Sequence, residues 1–127
     1  MTVLANLLNT IKNAERAAKR EVYIKQVSNL STQVLKKLQE NGYIGEFEII
    51  DDKRGKVYRV QLTHTINNCG VISPRFPVSH KEIEPWEKKF LPAQGMGVML
   101  LSTSKGLLTH EEAKKKGIGG KLIAFVY

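Results

Sequence analysis

The run Ser102-Thr103-Ser104-Lys105-Gly106 sets three hydroxyls, a cation and a residue without a Cβ side by side, ahead of the apolar pair Leu107-Leu108. Each hydroxyl can donate and accept hydrogen bonds, Lys105 can oppose a phosphate, and Gly106 lets a bulky partner approach. Short polar groups on a rigid rim suit folded RNA, which displays 2′-hydroxyls in a shallow minor groove and unstacked bases at bulges. An ordinary Ser/Thr turn explains the same residues equally well.

Catalysis would need convergent acid, base or nucleophile groups. His64, His80 and His110 are scattered along the chain. His110-Glu111-Glu112 has the look of a zinc-protease helix, but Lys114 stands where the second metal-ligating histidine belongs, so no metal site is expected. Ser102 or Ser104 with His110 lacks the strained G-x-S-x-G elbow of a serine hydrolase, which favours a solvated histidine at a helix start. Gly95-Met96-Gly97 precedes a strand and Gly117-Ile118-Gly119-Gly120 follows a helix, the reverse of a dinucleotide fingerprint, and no Walker lysine motif occurs. The chain reads as a binder and not as an enzyme.

Charge points the same way. Twenty Lys and Arg against twelve Asp and Glu give a formal net charge of +8 in 127 residues, which favours polyanions without choosing between nucleic acid and acidic lipid. Two basic sets stand out, Lys12, Arg16, Lys19 and Arg20 near one end, and Lys105, Lys114, Lys115, Lys116 and Lys121 near the other. Gly119 and Gly120 present bare backbone beside Lys121, where a phosphate could come close. Tyr43, Phe47, Tyr58 and Phe76 could stack bases, while Trp86, Phe90 and Phe125 suit a core as readily.

The longest apolar runs, Val98 to Leu101 and Leu122 to Tyr127, fall far short of the ~20 residues that span a bilayer, so no membrane partner is expected. Met1-Thr2-Val3-Leu4 lacks the basic and apolar regions of a secretory signal, and Cys69 is the single cysteine, which excludes an internal disulfide. Both features suit a reducing cytosol.

The elements that must position these groups follow from periodicity. Leu4, Leu7, Leu8, Ile11 and Ala14 recur at helical spacing. Glu21 to Val27 alternates as a strand, Ser28 can cap a helix carried by Leu30, Val34, Leu35 and Leu38, and Gly42 can close it. Ile44 to Ile50 and Lys56 to Thr63 form a hairpin around the turn Asp51 to Gly55. After a turn at Asn67-Asn68-Cys69-Gly70, Val71 to Val78 is extended, with Pro74 and Pro77 barring a central ladder position. His80 to Phe90 is a short helix limited by Pro85 and Pro92, followed by a loop over Leu91 to Gly97 and a strand from Val98 to Thr103. Thr109 to Glu112 has the form of a capping box, opening a helix through Lys116 that Gly117 closes. Lys121 to Tyr127, apolar almost throughout, is a strand expected to be central or covered on both faces. The expected fold is α/β of the α+β type in two subdomains. Residues 1–66 form α-β-α-β-β, and residues 67–127 form a mixed sheet with short helices.

The segment Gly97 to Leu108 (GVMLLSTSKGLL), followed after four residues by Ala113-Lys114, resembles the signature of the universal small-subunit ribosomal protein eight family. Further blocks resemble its archaeal and eukaryotic branch: Leu4 to Glu15 ending in Asn13-Ala14-Glu15, Gly42 to Asp52, Cys69 to Phe76, Leu91-Pro92-Ala93, and His110 to Lys121. The similarity covers essentially the whole chain. It implies a structural constituent of the small subunit that binds the central domain of small-subunit rRNA, touches neighbouring ribosomal proteins, and joins the particle early in assembly in the cytosol. It implies no catalysis, cofactor or small-molecule substrate. By resemblance, Ser102, Thr103 and Ser104, with Lys105 and Gly106 adjoining, meet the RNA core. Ser73, Pro74 and Arg75 form a second contact of the carboxyl-terminal, rRNA-binding subdomain, where Gly119, Gly120 and Lys121 are also candidates. Lys12 and Asn13 on the first helix are expected to touch another RNA stretch.

Overall fold

In the computed structural model the five apolar residues of the first periodic stretch are the ones that α1, Val3–Arg16, buries. The model describes residues 3–25, 28–51, 53, 55–72, 77–92 and 96–127, and the backbone of residue 52. The described chain divides into two compact units, Met1–Asn67 and Asn68–Tyr127, four helices and two sheets in an α+β arrangement. No described helix is long and apolar enough to cross a membrane.

In the first unit β1, Glu21–Ile24, is shorter than the alternation suggests. Its ladder with β3 ends at the Ile24↔Tyr58 pair, Lys25 lies beyond it, and residues 26–27 fall outside the described set. α2, Asn29–Glu40, follows, and its cap Ser28 accepts the Ser31 amide at 3.1 Å. Leu30 is half-buried, so the buried stripe runs through Ser31, Val34, Leu35 and Leu38. The helix closes in a Schellman motif, with Gly42 donating to Gln39 and Tyr43 to Leu38.

β2, Ile44–Asp52, and β3, Gly55–Leu62, form a tighter hairpin than the polar stretch suggested. Asp51, Asp52 and Gly55 belong to the ladder, which continues to the Asp52↔Gly55 pair. The sheet order is β1-β3-β2, antiparallel throughout. Tyr58 is fully buried, and its hydroxyl donates to the Ser28 carbonyl at 3.0 Å and lies 2.6 Å from Thr32 Oγ1. That pairs a buried phenol and ties β3 to the first turn of α2.

The second unit comprises β4, Cys69–Val71; β5, Pro77–Val78; α3, Ile83–Phe90; β6, Val98–Thr103; β7, Gly106–Thr109; α4, His110–Lys116; and β8, Gly120–Val126. Its sheet, expected as mixed, is antiparallel in every described pairing, with order β4-β8-β6-β7 and β5 also beside β8. Cys69 and Gly70, read as turn residues, pair with Val126 and Phe125 and so lie in β4. Pro77 sits at a sheet edge, where a missing amide donor is tolerated. Pro85 does not limit α3 but occupies its first turn, where amides have no intrahelical partner, and residues 80–82 precede the helix. Sequence patterning missed β7, because four residues are too few to show alternation. The capping box at Thr109 is present, and Gly117 ends α4 at φ 64°.

β8 is the hub, with β6 along one side and β4 and β5 in line along the other. Met99, Leu101 and Leu122 face a core shared with Ile83 of α3 and Ala113 of α4, while Val98, Leu100, Ala124 and Val126 are buried as well. The neighbours press closest at the start of β8. A Cβ on Gly119 would collide with the Val78 carbonyl and lie 2.8 Å from Ser79 Cα. One on Gly120 would collide with the Ser102 carbonyl and lie 2.9 Å from Thr103 Cγ2. Gly120→Ala is therefore expected to cost about 1–3 kcal/mol, measured by urea unfolding, because backbone on both sides must give way. Full parental stability would show that the strands spread freely there.

Candidate nucleic-acid interface

The close approach at Gly119 and Gly120 gathers the end of β5, the end of β6 and the start of β8 around one open depression of about 680 Å³. Pro77, Val78, Ser79, Ser102, Thr103, Ser104, Gly119, Gly120 and Lys121 line it. Residues that the sequence holds apart in two groups, 102–104 and 119–121, thus share one wall. The Ser102↔Lys121 pair joins them directly.

Ser102 and Thr103 are the last residues of β6 rather than loop residues, and Gly106 is the first of β7. The Thr103↔Gly106 pair leaves Ser104 and Lys105 at the tip. Gly106 carries the reversal at φ 100°, and a Cβ there would meet nothing within 4 Å, so its conformation and not its space demands glycine. The Thr103 hydroxyl donates to the Gly106 carbonyl at 2.7 Å and accepts the Lys105 amide at 3.1 Å. It is spent on the turn. Ser102 and Ser104 are exposed and have no side-chain partner among the described residues, so their hydroxyls are the ones offered outward.

Lys105 and Lys121 are exposed beside this wall. Lys114 is committed, donating to Glu87 at 2.8 Å, whereas Lys115 and Lys116 are exposed. On α1, in the first unit, Lys12 is half-buried and Asn13 exposed. Ser73, Pro74, Arg75 and Phe76 lie outside the described residues. Of the aromatic residues considered for stacking, Tyr58 is fully buried and unavailable, and Phe47 packs edge-on against it. Trp86, Phe90, Phe125 and Tyr127 form a stacked series against the core of the second unit.

His110 is not solvated as the sequence suggested. It is 1% exposed, because the capping box turns the first residue of α4 inward against β6. The Met99 amide donates to its Nδ1 at 3.1 Å, and its Nε2 lies 3.1 Å from Glu87 Oε1. Both ring nitrogens are occupied, and the four ladder pairs of the β6–β7 hairpin separate His110 from Ser104, roughly 15 Å along the strands. A serine–histidine couple does not form. His64 lies 3.9 Å from the buried Glu15 carboxylate, whose protonation burial favours, and His80 is exposed. Among the described residues no group of three or more His, Cys, Asp or Glu is arranged to hold a metal.

This is the geometry of a small basic α+β protein that presents hydroxyls, lysines and main chain along an open wall, groups suited to binding a polyanion. Residues 2–127 match the family described as ribosomal protein S8, and the chain belongs to that family. The family is one of structural ribosomal proteins and not of enzymes. The chain is accordingly a small-subunit ribosomal protein that binds rRNA, with rRNA and other ribosomal proteins as its partners and the ribosome as its location.

Burial holds His110 below the ordinary histidine range, outweighing the nearby Glu87 and Glu111 charges that oppose the shift. The unfolded chain then binds a proton that the folded chain refuses. Stability is full above the ordinary value of 6.5 and falls as pH drops below it towards the lowered folded value. Thermal unfolding of the parent is expected to show this acid loss, and His110→Gln should flatten it. Parallel pH profiles for the two proteins would remove His110 as the group responsible.

Proposed function

We propose that this chain binds the central domain of small-subunit rRNA through the rim formed by Ser102, Thr103, Ser104, Lys105 and Gly106, with Gly119, Gly120 and Lys121 beside it. The observation that carries the reading is the wall on which the exposed Ser102 and Ser104 hydroxyls lie next to Lys121. In this division of labour Ser102 and Ser104 meet ribose or base edges. Thr103 and Gly106 hold the turn, and Gly119 and Gly120 let the strands close so that the wall exists. Lys105 and Lys121 supply phosphate contacts, which give affinity but little selectivity.

Ser73, Pro74 and Arg75 form a second contact of the same unit, an assignment resting on the sequence resemblance. Lys12 and Asn13 on α1 serve a separate RNA stretch, consistent with the exposure of Asn13 and the neighbouring Arg16, Lys19 and Arg20. The resemblance of Gly42 to Asp52 and of His110 to Lys121 supports the archaeal and eukaryotic branch, and with it a cytosolic ribosome, where the protein supports early subunit assembly and translation.

Two substitutions separate selectivity from affinity. Ser104→Ala is expected to cost about 1–3 kcal/mol of binding to a cognate central-domain fragment, as a hydroxyl buried against RNA would, with little change for unrelated RNA. Unchanged cognate affinity refutes the role of this hydroxyl. Lys121→Ala should weaken binding to cognate and unrelated RNA alike and lower the slope of log K against log salt by about one phosphate contact. A slope equal to the parent's removes Lys121 from the contact set.

A further inference from the structure

The chain is strongly cationic, yet one of its surfaces is not. In the first unit the helices pack on the face of the β1-β3-β2 sheet that carries Ile24, Tyr58, Val60 and Leu62, all buried. Strand alternation sends the intervening residues to the opposite face. There the register sets Tyr23, Arg59 and Glu48 abreast across the three strands. Arg59 Nε donates to Glu21 at 2.9 Å, one of its terminal nitrogens donates to Glu48 at 3.0 Å, and the Tyr23 hydroxyl donates to Glu21 at 3.3 Å. Glu46 joins them around a shallow depression of about 110 Å³ lined also by Phe47, Glu48, Arg59 and Gln61.

Around Arg59 three carboxylates stand against one guanidinium, and with the exposed Lys25 beside Tyr23 also counted this face stays net negative in a chain of net charge +8. The Arg59 guanidinium holds the Glu21 carboxyl below its usual range and keeps it charged. The face also shows apolar surface: Tyr23 is 56% exposed and Ile50 36%. A polyphosphate would be repelled here. A basic peptide would find carboxylates for its cationic heads and Tyr23 and Ile50 for its aliphatic stems. Proteins that share an rRNA scaffold meet the same electrostatic demand as this one and carry lysine- and arginine-rich segments.

We infer that the uncovered face of the N-terminal sheet docks a lysine- or arginine-rich segment of a neighbouring ribosomal protein and does not face rRNA. The inference rests on the chain working within an RNA–protein particle, and adds which surface serves the protein partner.

A photo-crosslinking amino acid at position 23 of the full chain, incorporated into assembled small subunits, tests it. The expected product is a crosslink to a lysine- or arginine-rich peptide of another protein. A crosslink to RNA, a crosslink to a neutral or acidic peptide, or none at all overturns the inference. Glu46→Lys combined with Glu48→Lys gives an independent reading in the purified full chain, with folding checked by circular dichroism. Affinity for a short peptide of alternating lysine and valine should fall about tenfold or more, while affinity for the cognate rRNA fragment is maintained. Undiminished peptide binding, or rRNA binding lost together with it, overturns the surface assignment. Failure of the unsubstituted chain to bind the rRNA fragment would instead count against the function proposed above, and the peptide arm reads out independently of it.

Discussion

The second unit depends on how closely backbone approaches backbone at the start of β8. Val78 and Ser79 on one side and Ser102 and Thr103 on the other occupy the space that side chains at 119 and 120 would need. Protein interiors are packed densely enough that one extra carbon at such a point must displace main chain. Because the strands close there, the β6–β7 hairpin, the end of β5 and Lys121 share one wall. The glycines thus serve the surface by what they leave out.

The wall is held from behind by a polar network as well as by apolar packing. Glu87 of α3 is buried between His110 and Lys114 of α4, and His110 in turn accepts the Met99 amide of β6. These groups link two helices and a strand. Had the same histidine been exposed, a catalytic role would have stayed open; with both ring nitrogens engaged, its chemistry is structural. Thr103 shows the same economy at a smaller scale, since its hydroxyl locks the turn that displays its neighbours.

The charge of the molecule is unevenly spread, and the unevenness follows the secondary structure. Lysines and arginines populate helix faces and strand ends, whereas Glu21, Glu46 and Glu48 gather on one sheet face around Arg59. Exposed ion pairs of this kind add little stability. Their arrangement bears on which partners can approach and from which side.

Periodicity alone determined a great deal. The five buried residues of α1, the caps at Ser28 and Thr109, the closures at Gly42 and Gly117, and the bounds of β6 depend on interactions within a few residues, so they are legible from spacing and residue type. The cluster Ser102 to Gly106 was visible because its residue types are unusual together. Only the tertiary structure decided that Cys69 and Gly70 pair in a strand, that β7 exists, that Tyr58 is buried, and that His110 faces inward. Most of those outcomes depend on a partner distant in sequence: Phe125 and Val126 for β4, Thr32 for Tyr58, Met99 and Glu87 for His110; β7 pairs locally with β6, Leu107 opposite Ser102, but is too short to show alternation. A local pattern reports which face of an element is apolar; it does not report what that face, or a polar group on it, will meet.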